Sequence, residues 1–290
     1  MEIGLTNNSL LKGILATLAY AFIMSVTSLV AKLVQESVAV SVLVFWQSIL
    51  CIVLLLPQQK GHWRRHNRQI WKAHVFRSLS GFLGFYFFYL AINHIPLVEA
   101  SMLRACAPLC VPFVVLILHK INVPFSRWLP LILGFVGVAL IIKPTPSQFD
   151  PWQLVGFLSA IGLALSMVTT RMLSKNVRAK ETMTVYFLIS AFLSLLLTLY
   201  DGVSLLVPVE LIPYVLVVGL TLYFAMYLYT LAYSFAPASL VSPVSYIGVV
   251  FSGIWGVLIW QQVPDVFALS GMMLIFMSVL LTTYLTRQKV

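Results

Sequence analysis

Long apolar runs separated by short polar breaks set the pattern of this chain, at about 10–31, 38–57, 74–93, 97–118, 128–142, 154–173, 183–200, 211–234, 238–260 and 266–285. A hydrocarbon core about 30 Å thick takes roughly 20 apolar residues of helix, so the pattern predicts ten membrane-spanning helices. The fifth run, between Arg127 and Lys143, is short; flanking cations that snorkel and a bilayer that thins let it span. The first run continues too far for a signal-peptide core, so the first helix is expected to stay in the membrane.

The fourth run departs most from a plain apolar helix. It opens after Pro96 and carries Glu99, Arg104, Pro108 and Pro112. Each interior proline removes a backbone donor and crowds the carbonyl four residues back, which predicts a kink or break near the middle of the span. Arg104 lies about two turns in, where a charge costs roughly 2.5–3.5 kcal/mol on insertion scales, so it should face protein or water. Two roles fit it: a fixed cation for a carboxylate or phosphate, or a brace bonded to Glu99 or to carbonyls that the prolines free.

Much of this pattern returns further along. Tyr227, Leu231-Ala232, Pro237 and Ser242 follow Tyr86, Leu90-Ala91, Pro96 and Ser101 at an offset of 141, and Ser245 stands opposite Arg104. Gly13, Leu15, Ala21 and Lys32 match Gly156, Leu158, Ala164 and Lys175 at an offset of 143. Pro243 is a further interior proline with no partner in register. The order of the matches predicts two repeats of five helices each, over 8–145 and 152–286, and an odd number of spans per repeat makes the second enter the membrane inverted.

Composition agrees. The chain is 61% hydrophobic and 9% charged, against about 25% charged residues in soluble domains. The net charge of +10 comes from short loops, with Lys12, the 60–77 stretch, Lys120, Arg127, the 171–180 stretch, Arg287 and Lys289 on one side and only Lys32 and Lys143 opposite. This predicts cytoplasmic termini, and it removes nucleic acid as a reason for the charge. Cys51, Cys106 and Cys110 all lie in apolar runs and lack neighbouring ligands at metal spacing, so neither a disulfide framework, a metal site nor a cofactor is expected.

Polar handles on apolar bodies complete the candidates. Tyr86 and Tyr227 hold equivalent places in the repeats; Trp46, Gln47, Tyr246 and Trp255 add hydrogen-bonding groups inside spans. For the tyrosines packing is the alternative, and for Gln47 a bond to a neighbouring helix. With Arg104 and Ser245 these form the candidate substrate site, and Pro108, Pro112 and Pro243 the candidate gating kinks.

Leu90-Ala91 followed by Pro96, Ala100 and Pro108, Arg127-Trp128 leading to Gly134-Phe135-Val136-Gly137 and Lys143-Pro144, and Leu231-Ala232, Pro237, Ser242-Pro243, Tyr246 and Gly271 in the second half resemble the drug/metabolite transporter superfamily, in its ten-helix form of two EamA domains. The sequence departs at Lys120 and Gln261, where such proteins carry an acidic residue, and at Gln47, where an arginine is common. The resemblance implies an all-α membrane protein of two inverted five-helix repeats with a central substrate cavity and alternating access. The expected function is secondary transport of a small amphipathic metabolite (amino-acid-, nucleotide- or vitamin-like) across a cytoplasmic membrane. A multidrug exporter of the same fold, a membrane scaffold or receptor, and an integral membrane enzyme stay open beside it. The expected partners are a small-molecule substrate and the lipid bilayer, with a homodimer left open. Glu99 is the one carboxylate well placed to carry a proton within a span, which points to exchange or facilitated transport before proton coupling.

Overall fold

The structure is a computed structural model that describes residues 7–59, 67–120, 128–142, 150–174, 177–236, 241 and 244–287. Among these the regular elements are helical: α1 (Asn7–Val34), α2 (Val40–Leu55), α3 (Arg68–His94), α4 (Leu97–Ala105), α5 (Ala107–His119), α6 (Trp128–Ile142), α7 (Pro151–Leu173), α8 (Ala179–Tyr200), α9 (Ile212–Phe235), α10 (Ile247–Trp260) and α11 (Val266–Arg287), with short 3-10 turns after α2 and before α9. Seven spans are long and apolar enough to cross a bilayer, with α4 and α5 together making one of them, and α6, α10 and the apolar part of α11 are shorter. The expected ten-span order is recovered.

Two helix boundaries position the polar residues inside the bundle. The third helix starts at Arg68, six residues before the expected run, because the side chain of Asn67 caps it by accepting from the Ile70 amide at 2.9 Å. Arg77, counted above with the cations of that side, therefore lies in the third turn of the helix. The fourth span breaks at Cys106. Pro108 can give no amide to the Arg104 carbonyl, and the turn tightens so that the Leu109 amide bonds Cys106 O at 2.9 Å instead of the Ala105 carbonyl one residue earlier. Pro112 sits inside α5. Pro243, with Pro237 and Ser242, lies outside the described residues, while a turn at Tyr246 precedes α10 much as Cys106 precedes α5.

Duplication is visible in the backbone. Lys120, which ends α5, and Gln261, which ends α10, both adopt φ 55 and ψ 28, a left-handed cap on non-glycine residues 141 positions apart. Packing repeats too: α1 lies along α9 as α3 lies along α7, and α2 against α9 as α3 against α8. The contacts α2 with α8, α4 with α10, and α6 with α11 each join equivalent helices and straddle the pseudo-two-fold axis.

Small residues set the closest approaches, as expected where lipid removes the hydrophobic drive between helices and van der Waals contact must hold them. A Cβ on Gly84 would lie 2.9 Å from Leu163 N, and one on Gly162 2.7 Å from Gly84 N, so α3 and α7 touch backbone to backbone. Gly137 and Gly271 do the same for α6 and α11, each Cβ falling within 2.6 Å of the other's carbonyl.

Candidate functional site

The break in the fourth span delivers Arg104 to the face of α3. Its Nη1 donates to Gly84 O at 2.9 Å, and its guanidinium carbon lies 4.1 Å from the centre of the Phe85 ring and 4.8 Å from that of Phe88. The Gly84–Gly162 contact brings α3 and α7 together here, and the absent side chain leaves the Gly84 carbonyl open to the arginine. Tyr20, Tyr89 and Tyr186, from α1, α3 and α8, turn their phenols within electrostatic reach of the guanidinium. Among the described residues no carboxylate bonds Arg104. Glu99, the expected ion-pair partner, instead accepts from Gln153 of α7 at 3.3 Å.

A guanidinium carries five donors. One carbonyl worth about 1.5–3 kcal/mol and two ring faces worth roughly 1–2 kcal/mol each stabilise it, but they are all neutral, and the side chain is only partly buried. What remains is net positive charge beside aromatic walls near the middle of the bundle. Of the two roles open to Arg104, the brace to Glu99 is not made; the carbonyl it does take belongs to α3 and was not freed by either proline.

Of the other candidates, Gln47 is fully buried and accepts from Tyr89 OH at 2.9 Å, so it ties α2 to a tyrosine of the Arg104 surroundings. Tyr246 OH donates to Ala105 O at 2.6 Å, one residue from Arg104. Trp255 donates to Ser25 Oγ at 3.1 Å, next to Phe22. Ser245 is partly buried just before the Tyr246 turn. Trp46 faces outward: it is 40% exposed, bonds Leu205 O at 2.9 Å and lines a surface groove between α2 and the chain entering α9.

The structure does not bring Tyr86 and Tyr227 to Arg104. Tyr86 follows Gly84 by two residues, about 200° around a helix of 3.6 residues per turn, and stacks on Phe82 at 5.5 Å. Tyr227 is 56% exposed on the same face of α9 as Leu216, Leu220 and Phe224, an apolar face of the kind that meets lipid. The structure instead gathers Tyr20, Phe85, Phe88, Tyr89 and Tyr186 around Arg104, with Arg77 further along the same face of α3. A signal existed for some of them, since Arg77, Gly81, Gly84, Phe85 and Phe88 recur at helical spacing on one face of α3.

At the end of the bundle away from the chain termini, the site is tied shut. Lys32 Nζ donates to Ile95 O at 2.9 Å and sits 5.2 Å from the Trp260 ring centre, and Gln262 Oε1 accepts from the Leu97 amide at 3.4 Å. His94 and Trp152 stack at 3.5 Å between α3 and α7.

Known proteins are similar to this chain over most of its length. The pseudopaline exporter CntI of Pseudomonas aeruginosa is 28% identical over 268 residues, 91% of this chain and 93% of that one. The riboflavin transporter of Brucella anthropi is 26% identical over 85% of this chain and 88% of its own length, and the S-adenosylmethionine uptake transporter of Rickettsia bellii 24% identical over 73% and 72%. A solved crystal structure at 19% identity superposes with a TM-score of 0.61, covering 98% of this chain and 99% of that one, which shows the fold. The sequence pattern described as the EamA-like transporter family matches twice, over 11–143 and 150–284. This chain belongs to the EamA-like transporter family, whose members are metabolite transporters of the drug/metabolite transporter superfamily.

Proposed function

We propose that the protein is a secondary carrier for a small amphipathic metabolite bearing an anionic group, which Arg104 holds beside the rings of Phe85 and Phe88. The observation that carries this reading is the guanidinium's surroundings: one backbone carbonyl, two ring faces, phenols, and no carboxylate bonded to it among the described residues. A charge within a membrane span is costly unless it meets protein partners or water, and a substrate that supplies the counter-charge completes the site. Relatives named for three different metabolites support a metabolite as cargo. The protein works by alternating access and makes or breaks no covalent bond.

On this reading the protein lies in the cytoplasmic membrane with both termini inside, and the Lys32 end of the bundle faces out, so the structure is closed to the exterior. The charge asymmetry of the loops supports that orientation. In a cysteine-free variant, a cysteine placed at Asp150 should react with an impermeant reagent in intact cells and one at Arg65 should not; the reverse would invert the topology. Glu99 accepts from Gln153, which supports substrate exchange or facilitated transport before proton coupling.

The test is counterflow into proteoliposomes across a panel of acidic and neutral metabolites. Saturable flux confined to anionic compounds is expected; equal flux of neutral and cationic drugs would replace this reading by a multidrug exporter, and no flux for any compound would end it.

A further inference from the structure

Arg77 occupies the same face of α3 as Gly84, seven residues nearer the end that bears the chain termini, or about 10 Å at the rise of a helix. Its Nε donates to Thr170 Oγ1 of α7 at 3.1 Å and its guanidinium carbon lies 4.5 Å from the ring centre of Tyr186 on α8. Its Nη1 is buried with no hydrogen-bond partner. A charged donor in a dry site without an acceptor is costly, and a bundle with serines and threonines on every neighbouring helix could have supplied one.

The groups Arg77 touches, Thr170 and Tyr186, are neutral. Ser166 and the edge of Tyr186 pack where Gly81 has no side chain, each 3.1 Å from the place of its missing Cβ. Among the described residues no carboxylate bonds Arg77. Tyr186 then lies 6.4 Å from Phe85 between ring centres, and Phe85 carries Arg104 on its face at 4.1 Å. The two guanidiniums are thus joined by a run of cation, ring, ring and cation from the bundle centre toward the terminal end.

We propose that Arg77 is a second anion-binding position, which takes the carboxylate of the substrate on its way between Arg104 and the cytoplasm while Tyr186 receives an apolar or planar part. This rests on the reading of Arg104 as the substrate's counter-charge and adds a stage to it. In the conformation seen, Nη1 is buried while the side chain as a whole is only partly so, and opening of the terminal end would admit the carboxylate to Nη1.

Benzoate is the probe, with benzamide as its neutral control at equal ionic strength, and binding to purified protein in detergent is read from the rise in unfolding temperature. Wild-type protein should show a saturable rise specific to benzoate. Arg104→Gln should weaken its apparent affinity roughly tenfold and leave a residue of specific binding. Adding Arg77→Gln should abolish that residue, and Arg77→Lys, which keeps the charge and safeguards the fold, should retain part of it. If Arg104→Gln alone removes all benzoate-specific binding and Arg77→Gln matches wild type, the Arg77 stage is overturned and Arg104 stands. If only Arg77→Gln has an effect, the Arg104 reading falls instead. A wild-type protein that does not distinguish benzoate from benzamide contradicts both.

Discussion

The hydroxyl of Tyr246 donates to the carbonyl of Ala105 at 2.6 Å, across 141 positions of sequence, the same offset that relates the two repeats. Equivalent points of two interrupted spans meet there, and Ser101 and Ser252 bond at 3.0 Å nearby. The Ala105 carbonyl is available because the Leu109 amide has turned to Cys106 O. One proline therefore creates the acceptor that the other repeat fills. The consequence is that Tyr246 braces the break, with its hydroxyl already used. Tyr246→Phe should lower stability by about 1–3 kcal/mol, the cost of an orphaned buried acceptor, read as a fall in unfolding temperature with substrate affinity nearly unchanged. An unchanged unfolding temperature with a large loss of affinity would assign the hydroxyl to substrate.

Gly84 serves the Arg104 site through its backbone. Gly84→Ala places a methyl 2.9 Å from Leu163 N, so α3 and α7 must separate and the carbonyl that fixes Arg104 must move. A loss of about 1–3 kcal/mol in stability is expected for such overpacking, together with slower transport. Gly256→Ala is the control, since the nearest atom to its new Cβ is 3.9 Å away. Equal behaviour of the two variants in thermal unfolding would contradict the close contact.

The helices are legible in the sequence because lipid demands a run of apolar residues of fixed length, and the break at Cys106 because proline acts on its own helix. Both are local effects. The repeat is legible in the offset of Tyr86 and Tyr227, yet the structure places neither beside Arg104. Repeats that share a fold keep lipid-facing and packing positions in register, whereas a site built around a single arginine is asymmetric: the counterparts of Tyr89 and Arg104 are Thr230 and Ser245. Arg77 falls inside the apolar run at 74–93 yet counts with the loop cations in the charge pattern, and the cap at Asn67, which lengthens α3, lies in a polar stretch that hydropathy treats as loop. Which side of α3 meets Arg104 depends on the long-range Gly84–Gly162 contact, and no single-helix pattern specifies it.

The tyrosines separate accordingly. Tyr86→Phe and Tyr227→Phe should transport at near wild-type rates, whereas Tyr89→Phe loses its bond to Gln47 beside Arg104. The last should weaken substrate affinity by roughly 0.5–1.5 kcal/mol, the net worth of a neutral hydrogen bond. Initial-rate uptake against substrate concentration distinguishes the three; a defect confined to Tyr227→Phe would return that residue to the pathway.

Lys32 is the latch at the far end. Lys32→Gln weakens its bond to the Ile95 carbonyl and its contact with Trp260. A charged hydrogen bond is worth about 1.5–3 kcal/mol, so the far side should open roughly tenfold more often or better. Labelling of a cysteine at Ser101 by an impermeant reagent added outside should speed up correspondingly. An unchanged labelling rate would show that other contacts hold the closure.

Everything proposed for the transport cycle turns on Arg104 as the counter-charge for the substrate. Arg104→Gln keeps much of the length and some hydrogen bonding but removes the charge, and the most direct measurement is the affinity of the purified variant for the metabolite that saturates wild-type flux and for its neutral amide analogue. The affinity for the anionic form should fall by about 1.5–3 kcal/mol, the worth of a hydrogen bond to a charged group, with that for the neutral analogue little changed. A stable Arg104→Gln protein that binds the anionic metabolite as tightly as wild type would contradict this role for the arginine.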